Sequence, residues 1–140
     1  MNNSHVFPVR VYYEDTDAGG IVFYANYLKF FERARTEWLR ALGIGQQQLR
    51  EQTGGMFVVT QAQLQYLRAA RLDDQLLVTA ELQSSGRASL TIRQQALLAS
   101  AGDGNAPPPL LCEGTIRIGW VDGSTIRPAR IPNRILEQLS

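Results

Sequence analysis

The sequence predicts an α+β domain: a five-stranded antiparallel sheet accompanied by one long helix. Three observations predict it. Apolar residues alternate along five separate stretches, they recur at spacings of three and four along only one long stretch, and turn-forming residues mark the junctions. The order is one strand, the helix, then four consecutive strands suited to antiparallel pairing. At 140 residues the chain has the size of one domain, so residues 1–140 are read as a single unit with one core.

In the first strand Phe7, Val9, Val11 and Tyr13 face one side, and Pro8 suits a strand start or an edge because it has no amide to donate. Residues 14–20, with Asp, Thr and the Gly19-Gly20 pair, form a turn. Tyr27, Phe30, Phe31, Ala34, Trp38, Ala41 and Leu42 then mark one face of an amphipathic helix. Lys29, Glu32, Arg33, Arg35, Glu37 and Arg40 lie mainly off that face, with Arg33 and Glu37 spaced for an i,i+4 pair. Asn26 is the expected N-cap and Gly43 the left-handed residue beyond the last turn. A helix over residues 26–42 spans roughly 25 Å at about 1.5 Å per residue.

Residues 45–55 read as a polar connection with one short helical turn. The period of two then returns through Ala62, Leu64 and Tyr66, and again through Leu76, Val78, Ala80 and Leu82. Leu90, Ile92, Gln94, Ala96 and Leu98 form a further run, and Cys112, Gly114, Ile116, Ile118 and Trp120 the last. Residues 100–109 read as a flexible surface loop or hairpin tip. One helix covers only one face of a five-stranded sheet, so apolar side chains on the other face predict a homo-oligomer.

Fourteen basic residues nearly balance thirteen acidic ones, and a net charge of +1 supplies no field for nucleic acid or an anionic membrane. Cys112 is the only cysteine, which excludes an internal disulfide and a multi-cysteine metal site. Its strand-like neighbours make it a buried small hydrophobe and not a nucleophile. His5 is the only histidine, beside a start (Met1 to Ser4) expected to be frayed, and is a poor general base there. No run approaches the roughly 18 apolar residues of a membrane span, and no basic-then-apolar leader opens the chain. A cytoplasmic location is the expectation.

The chemistry gathers at residues 14–26. Glu14, Asp15 and Asp17 are followed by Gly19 and Gly20 immediately before the helix. The free amides and dipole of a helix N-terminus stabilise developing negative charge. A carbonyl held there would be polarised, and a nearby carboxylate could attack it or activate water. Such acyl transfer needs neither serine nor metal when the leaving group is a thiolate. From spacing alone, a polar turn with Asx hydrogen bonds is the favoured reading. A calcium loop lacks its glutamate, and a P-loop its Gly-Lys-Ser/Thr.

Residues 11–27, Val-Tyr-Tyr-Glu-Asp-Thr-Asp-Ala-Gly-Gly-Ile-Val-Phe-Tyr-Ala-Asn-Tyr, are followed at 31–39 by Phe-Glu-Arg-Ala-Arg-Thr-Glu-Trp-Leu. Together they resemble the signature of the 4-hydroxybenzoyl-CoA thioesterase family, nearest to its YbgC-like branch, which is associated with the Tol-Pal envelope system. Residues 66–74 and 85–90 carry weaker echoes of the same pattern. The resemblance implies a hotdog fold, in which the sheet wraps around the helix, assembled as dimers or tetramers, with a homotetramer (a dimer of dimers) the expectation. It implies hydrolysis of an acyl-CoA to free acid and CoA, with no cofactor, since CoA is part of the substrate. An acyl-carrier-protein thioester is the other substrate it allows.

Carried over by position, the resemblance makes Asp17 the catalytic carboxylate, as nucleophile or general base. The backbone N–H of Tyr24 would polarise the thioester carbonyl, with Gly19 and Gly20 permitting close approach. Arg87 falls in the region that holds CoA phosphates, with Ser85 and Ser89 assisting; a solvated turn arginine is the alternative for Arg87. Arg68 and Arg71 read as structural, and Glu32 and Arg35 as helix-surface or oligomer-interface residues. Many YbgC-like members carry histidine where this chain has Tyr24, which removes a possible acid/base partner here and blurs the acyl preference. The competing reading is a non-catalytic acyl-thioester or acyl-carrier-protein binding subunit of an envelope-associated complex. A hotdog dehydratase is disfavoured because His5 lies far from the helix.

Overall fold

A computed structural model describes residues 4–99 and 106–140. Most of the expected 100–109 loop, and the chain start before Ser4, lie outside the described residues. Strand β1 (Ser4–Arg10) leads to helix α1 (Asn26–Ala41) and a short helix α2 (Gln46–Thr53). Strands β2 (Gly55–Tyr66), β3 (Gln75–Ser85), β4 (Ser89–Leu98) and β5 (Leu110–Asp122) follow, and α3 (Asn133–Leu139) closes the chain. The sheet is antiparallel in the order β1-β3-β4-β5-β2. The second strand in sequence therefore pairs with the last, across a register from Gly55↔Asp122 to Tyr66↔Cys112, and not with its successor. This leaves β1 and β2 as the two edges.

Helix α1 packs on β1 and β3 with Phe30, Phe31, Ala34 and Trp38 fully buried. Each large side chain so removed from water contributes about 1.5–3 kcal/mol. Gly43, at φ +83°, is the left-handed stop predicted for it. Five expectations need correcting. The N-cap is Ala25; Asn26 begins the helix and its side-chain amide donates to the Asp15 carbonyl at 2.8 Å. Glu37 pairs with Arg40, not Arg33, whose guanidinium instead lies 6.0 Å from the Phe30 ring centre. Leu39 takes the buried place expected of Ala41, which is exposed. The first strand begins at Ser4, within the expected frayed start, and ends at Arg10, so Tyr13 lies in a single 3₁₀ turn (Tyr13–Asp15) with its ring exposed.

The fifth correction concerns Arg35, expected on the helix surface or at an oligomer interface: it is only 8% exposed within the chain, which removes the first of those places. Its Nη1 donates at 2.9 Å to Gln94 Oε1, while Gln94 Nε2 donates at 3.0 Å to both the Phe31 and Thr79 carbonyls. The fully buried Gln94 side chain thus ties the middle of α1 to β3 and β4, with its amide fully used. Helix α2 fills the predicted polar connection with two turns instead of one. Helix α3 buries Ile135 and Leu139 and carries no periodic signal long enough to read from sequence.

Candidate active site

The turn before α1 is built by the residues that sequence singled out. Asp15 is buried, with Oδ2 accepting the Tyr12 amide at 2.8 Å and its carbonyl accepting the Phe23 amide at 3.0 Å. It is structural. Two residues on, Asp17 is exposed, and its backbone closes a tight loop: Asp17 N–H donates to the Ile21 carbonyl at 2.9 Å, and Gly20 N–H to the Asp17 carbonyl at 3.0 Å. Asp17 Oδ1 accepts the Gly19 amide at 2.8 Å, and among the described residues no donor reaches Oδ2. A Cβ on Gly19 would lie 3.2 Å from Oδ1, crowding that carboxylate, and Gly20 adopts φ +77°, which favours glycine. The three acidic residues are therefore distinguished by the fold: one spent on the turn, one (Glu14) exposed on the 3₁₀ turn, and one presented.

Helix α1 begins loosely. Asn26 N–H donates to the Phe23 carbonyl at 2.8 Å and Leu28 N–H to Ala25 at 3.1 Å. Among the described residues the amides of Tyr24 and Ala25 donate to nothing, so both are free donors at the positive end of the helix. The Tyr24 ring is 62% exposed and packs against Phe23 (centroids 4.8 Å apart) and Tyr66 (6.0 Å), the last residue of β2. Tyr66 also meets Tyr27 at 5.7 Å. The three tyrosines, with Ile21, Val22 and Arg68, border a cleft of about 290 Å³. Behind it the Tyr27 hydroxyl is buried, and among the described residues no partner meets hydrogen-bond geometry with it, the Ala70 backbone being its nearest polar neighbour. Burial raises its pKa, an effect the nearby Ala70 backbone offsets only in part. Burial likewise pushes the Cys112 thiol, in the adjoining strand, up to about 12.

Ser85, Arg87 and Ser89 lie elsewhere. They occupy the β3–β4 turn, whereas the Asp17 loop bridges through Ile21 to Arg71, just before β3 begins. Ten residue steps along β3 at about 3.3 Å each separate the two regions by roughly 33 Å. Within one chain, Gly19 and Gly20 are bonded to Asp17, Tyr24 follows at the start of the helix that this turn leads into, and Arg87 lies at the far end of the sheet. The turn at Arg87 instead joins residues that sequence reading passed over. Arg117 Nη2 donates to Ser89 Oγ at 3.4 Å, and Ile131 N–H donates to the Arg87 carbonyl at 2.8 Å, which sets Arg130 beside it. A cleft of about 390 Å³ opens there between Ser89, Arg117 and Pro128 and reaches Thr60 and Gln61 on β2. Arg117 carried a signal in its strand register, but only the pairing of β4 with β5 puts it next to Ser89. Arg68 and Arg71, expected to be structural, are exposed; the Arg71 amide donates to Asp74 Oδ2 at 2.8 Å.

Among the described residues no three His, Cys, Asp or Glu side chains gather as a metal-binding group, and no helix is long and apolar enough to cross a membrane.

A sheet folded around one long helix, with a carboxylate presented in the turn that opens that helix, defines a hotdog domain. Residues 19–101 match the thioesterase superfamily. The acyl-CoA thioesterase YbgC of Haemophilus influenzae is 40% identical over 135 residues, covering 96% of this chain and 93% of that protein. A probable thioesterase from Bartonella henselae, solved by crystallography, superposes with a TM-score of 0.81 at 29% identity, over 92% of this chain and 99% of its own. A 4-hydroxybenzoyl-CoA thioesterase variant bound to 4-hydroxybenzoyl-CoA shares the fold with a TM-score of 0.88, at 19% identity and 99% coverage of both chains. The chain belongs to the thioesterase superfamily, and its similarity runs to the YbgC-like members.

Proposed function

We propose that this chain hydrolyses acyl-CoA thioesters to a free acid and CoA, with Asp17 as the carboxylate that attacks the carbonyl or activates water. The observation that carries the reading is the pairing of a presented carboxylate with two free amides at the start of α1. A thioester carbonyl seated against the Tyr24 and Ala25 amides gains negative charge on its oxygen as the carbon is attacked, where fixed donors in a partly dry cleft act most strongly. If Asp17 Oδ2 attacks, a mixed anhydride forms as the thiolate of CoA leaves, and water then cleaves the anhydride. If Asp17 instead takes a proton from water, the hydroxide attacks directly. Single turnover in ¹⁸O-water separates the two: if water cleaves the anhydride at the Asp17 carbonyl, the label stays in Asp17 and the first acid released carries an unlabelled enzyme oxygen, whereas direct attack by hydroxide puts the label in the acid.

The distance between Asp17 and Arg87 in one chain points to a site shared between two copies. The edge strand β2 borders the cleft beside Tyr24 at its Tyr66 end, and its Val58 stands level with Gly119 and Ser89. Antiparallel pairing of β2 with β2 of a second copy sets the Gly55 end of one against the Tyr66 end of the other. Arg87 of the partner subunit, with Arg130 of the partner subunit beside it, then stands about three strand spacings, roughly 14 Å, from the first copy's Tyr66. That is a reach suited to the phosphates of a CoA whose thioester lies at Asp17, and arginine suits phosphate through paired donors. Assembly of such pairs into a tetramer, and use of an acyl carrier protein in place of CoA, belong to the same reading.

The experiment is complementation in trans. Asp17→Asn and Arg87→Ala chains are each assayed for thiol release from an acyl-CoA below saturation, then mixed and re-equilibrated. A shared site predicts that the mixture recovers activity, since one of its two sites holds both native residues. No release by the unaltered chain above background across short, long and aromatic acyl-CoAs would favour the binding-subunit reading.

A further inference from the structure

Tyr27 is the polar side chain that the fold leaves unexplained. It lies in the first turn of α1, only 3% exposed, and among the described residues no partner meets hydrogen-bond geometry with its hydroxyl. A buried hydroxyl without a partner costs stability that phenylalanine in the same place would not cost. Burial raises the pKa of this group and keeps its proton on. The Ala70 backbone works the other way, as a group does that presents a donor to the phenol oxygen. The oxygen thus has a neighbour, and the proton has no acceptor.

Tyr27 is also a wall of a cleft. It borders the space of about 290 Å³ beside Tyr24. Among the residues lining that space Arg68 is the only charged one, and no carboxylate or carboxamide is among them. Arg68 forms no ion pair among the described residues. The cleft therefore sets the unused protons of a phenol and a guanidinium within largely apolar walls. A hydrocarbon leaves such donors unpaired, and an acceptor oxygen satisfies them.

The place of the cleft ties it to the acyl half of the substrate. Tyr27 follows Tyr24 by three residues, one turn further along the chain from the free Tyr24 amide. Tyr66 bridges the two, its ring centre 6.0 Å from that of Tyr24 and 5.7 Å from that of Tyr27. A thioester whose carbonyl rests on the Tyr24 amide has this cleft at hand for its acyl chain.

We propose that Tyr27 selects the acyl group: its hydroxyl donates to an acceptor oxygen carried on the acyl chain, so an acyl-CoA bearing an oxo group or a carboxylate is preferred over the plain chain of the same length. The inference rests on the hydrolase reading of the site and adds the group that reads the acyl chain. It also accounts for a tyrosine kept where phenylalanine would be the more stable choice.

The test compares kcat/KM for straight-chain acyl-CoAs, from pentanoyl to octanoyl, with the same chains bearing an oxo group, moved one carbon at a time, or a terminal carboxylate. The best oxygen-bearing chain should exceed its plain counterpart on the order of tenfold, the discrimination of one hydrogen bond. In Tyr27→Phe that ratio should fall to about one while the melting temperature rises. The ratio is taken within each variant, so a general loss of activity cancels, and a purely structural tyrosine would leave it untouched. Arg68→Gln identifies the oxygen: it erases a preference for a carboxylate and spares one for an oxo group. A ratio below about threefold in the unaltered chain overturns the proposal, and so does a preference that survives in Tyr27→Phe. Thiol release from no acyl-CoA at all sinks the hydrolase reading itself; release without discrimination sinks only the assignment of Tyr27.

Discussion

Replacing Asp17 with Asn separates the architecture of the turn from its chemistry. Asparagine keeps an oxygen where Asp17 Oδ1 accepts the Gly19 amide, and the backbone bonds from Asp17 to Ile21 and from Gly20 to Asp17 do not involve the side chain. Stability should therefore stay within about 0.5 kcal/mol. Asp17→Ala gives up the Gly19 bond and should cost about 1 kcal/mol, the net worth of one exposed hydrogen bond. Asparagine can neither attack a carbonyl nor take a proton from water. A positioned base contributes about 10² to 10⁴ in rate, which at about 1.36 kcal/mol per decade is roughly 3–5.5 kcal/mol of barrier. The assay is release of CoA thiol followed with a chromogenic disulfide. The chain's single thiol, Cys112, is buried with its pKa pushed up to about 12, so the folded protein adds little background. The expected result is kcat lower by at least about a hundredfold with an unchanged melting temperature. A folded Asp17→Asn chain retaining more than a tenth of kcat would refute the assignment and move the search to the exposed Glu14.

Tyr27→Phe removes a buried hydroxyl that has no partner, so the variant should be more stable by about 1 kcal/mol in denaturant titration; a loss of that size would mean the hydroxyl is bonded in solution. Gly114→Ala should do the opposite, because a Cβ there would lie 2.1 Å from the Gln63 carbonyl and force β2 from β5. Loss of cooperative folding, or more than about 3 kcal/mol, is expected, and a native-like melt would show that the strands can separate freely. Burial raises the Cys112 thiol from 9.0 to about 12, so the folded state keeps a proton that the unfolded state gives up. Stability should fall as pH rises from 9 towards 12, and Cys112→Val should flatten that part of the curve; an unaltered slope would place the thiol in contact with water.

Much of this protein is legible in residue spacing alone. The single long helix, the five strands and the inward faces of β3, β4 and β5 follow from the two periods, because burying one side of a helix or strand constrains nearly every third or second residue, while the face expected of β2 (Ala62, Leu64 and Tyr66) is largely exposed in the single chain. Even Gln94 is visible as a polar residue in an apolar register. The stop at Gly43 and the burial of Cys112 follow from local chemistry in the same way. The strand ends, the second turn of α2 and the short α3 do not, since their boundaries depend on what packs against Tyr13, Leu49 and Ile135.

Asp17 was selected from three neighbouring carboxylates by resemblance, and the fold supplies a physical distinction: Asp15 is consumed by the Tyr12 amide while Asp17 is presented. What only the tertiary structure decided involves residues far apart in sequence. Pairing of β2 with β5 instead of β3 made β2 an edge, pairing of β4 with β5 put Arg117 beside Ser89, and the length of β3 set Asp17 and Arg87 at opposite ends of one sheet. Arg35 shows the same limit most plainly. Its position in the sequence reads as helix surface or oligomer interface, and its burial within the chain depends on Gln94, 59 residues away. Periodicity reports which face of an element avoids water; it carries no information about which partner provides the shelter.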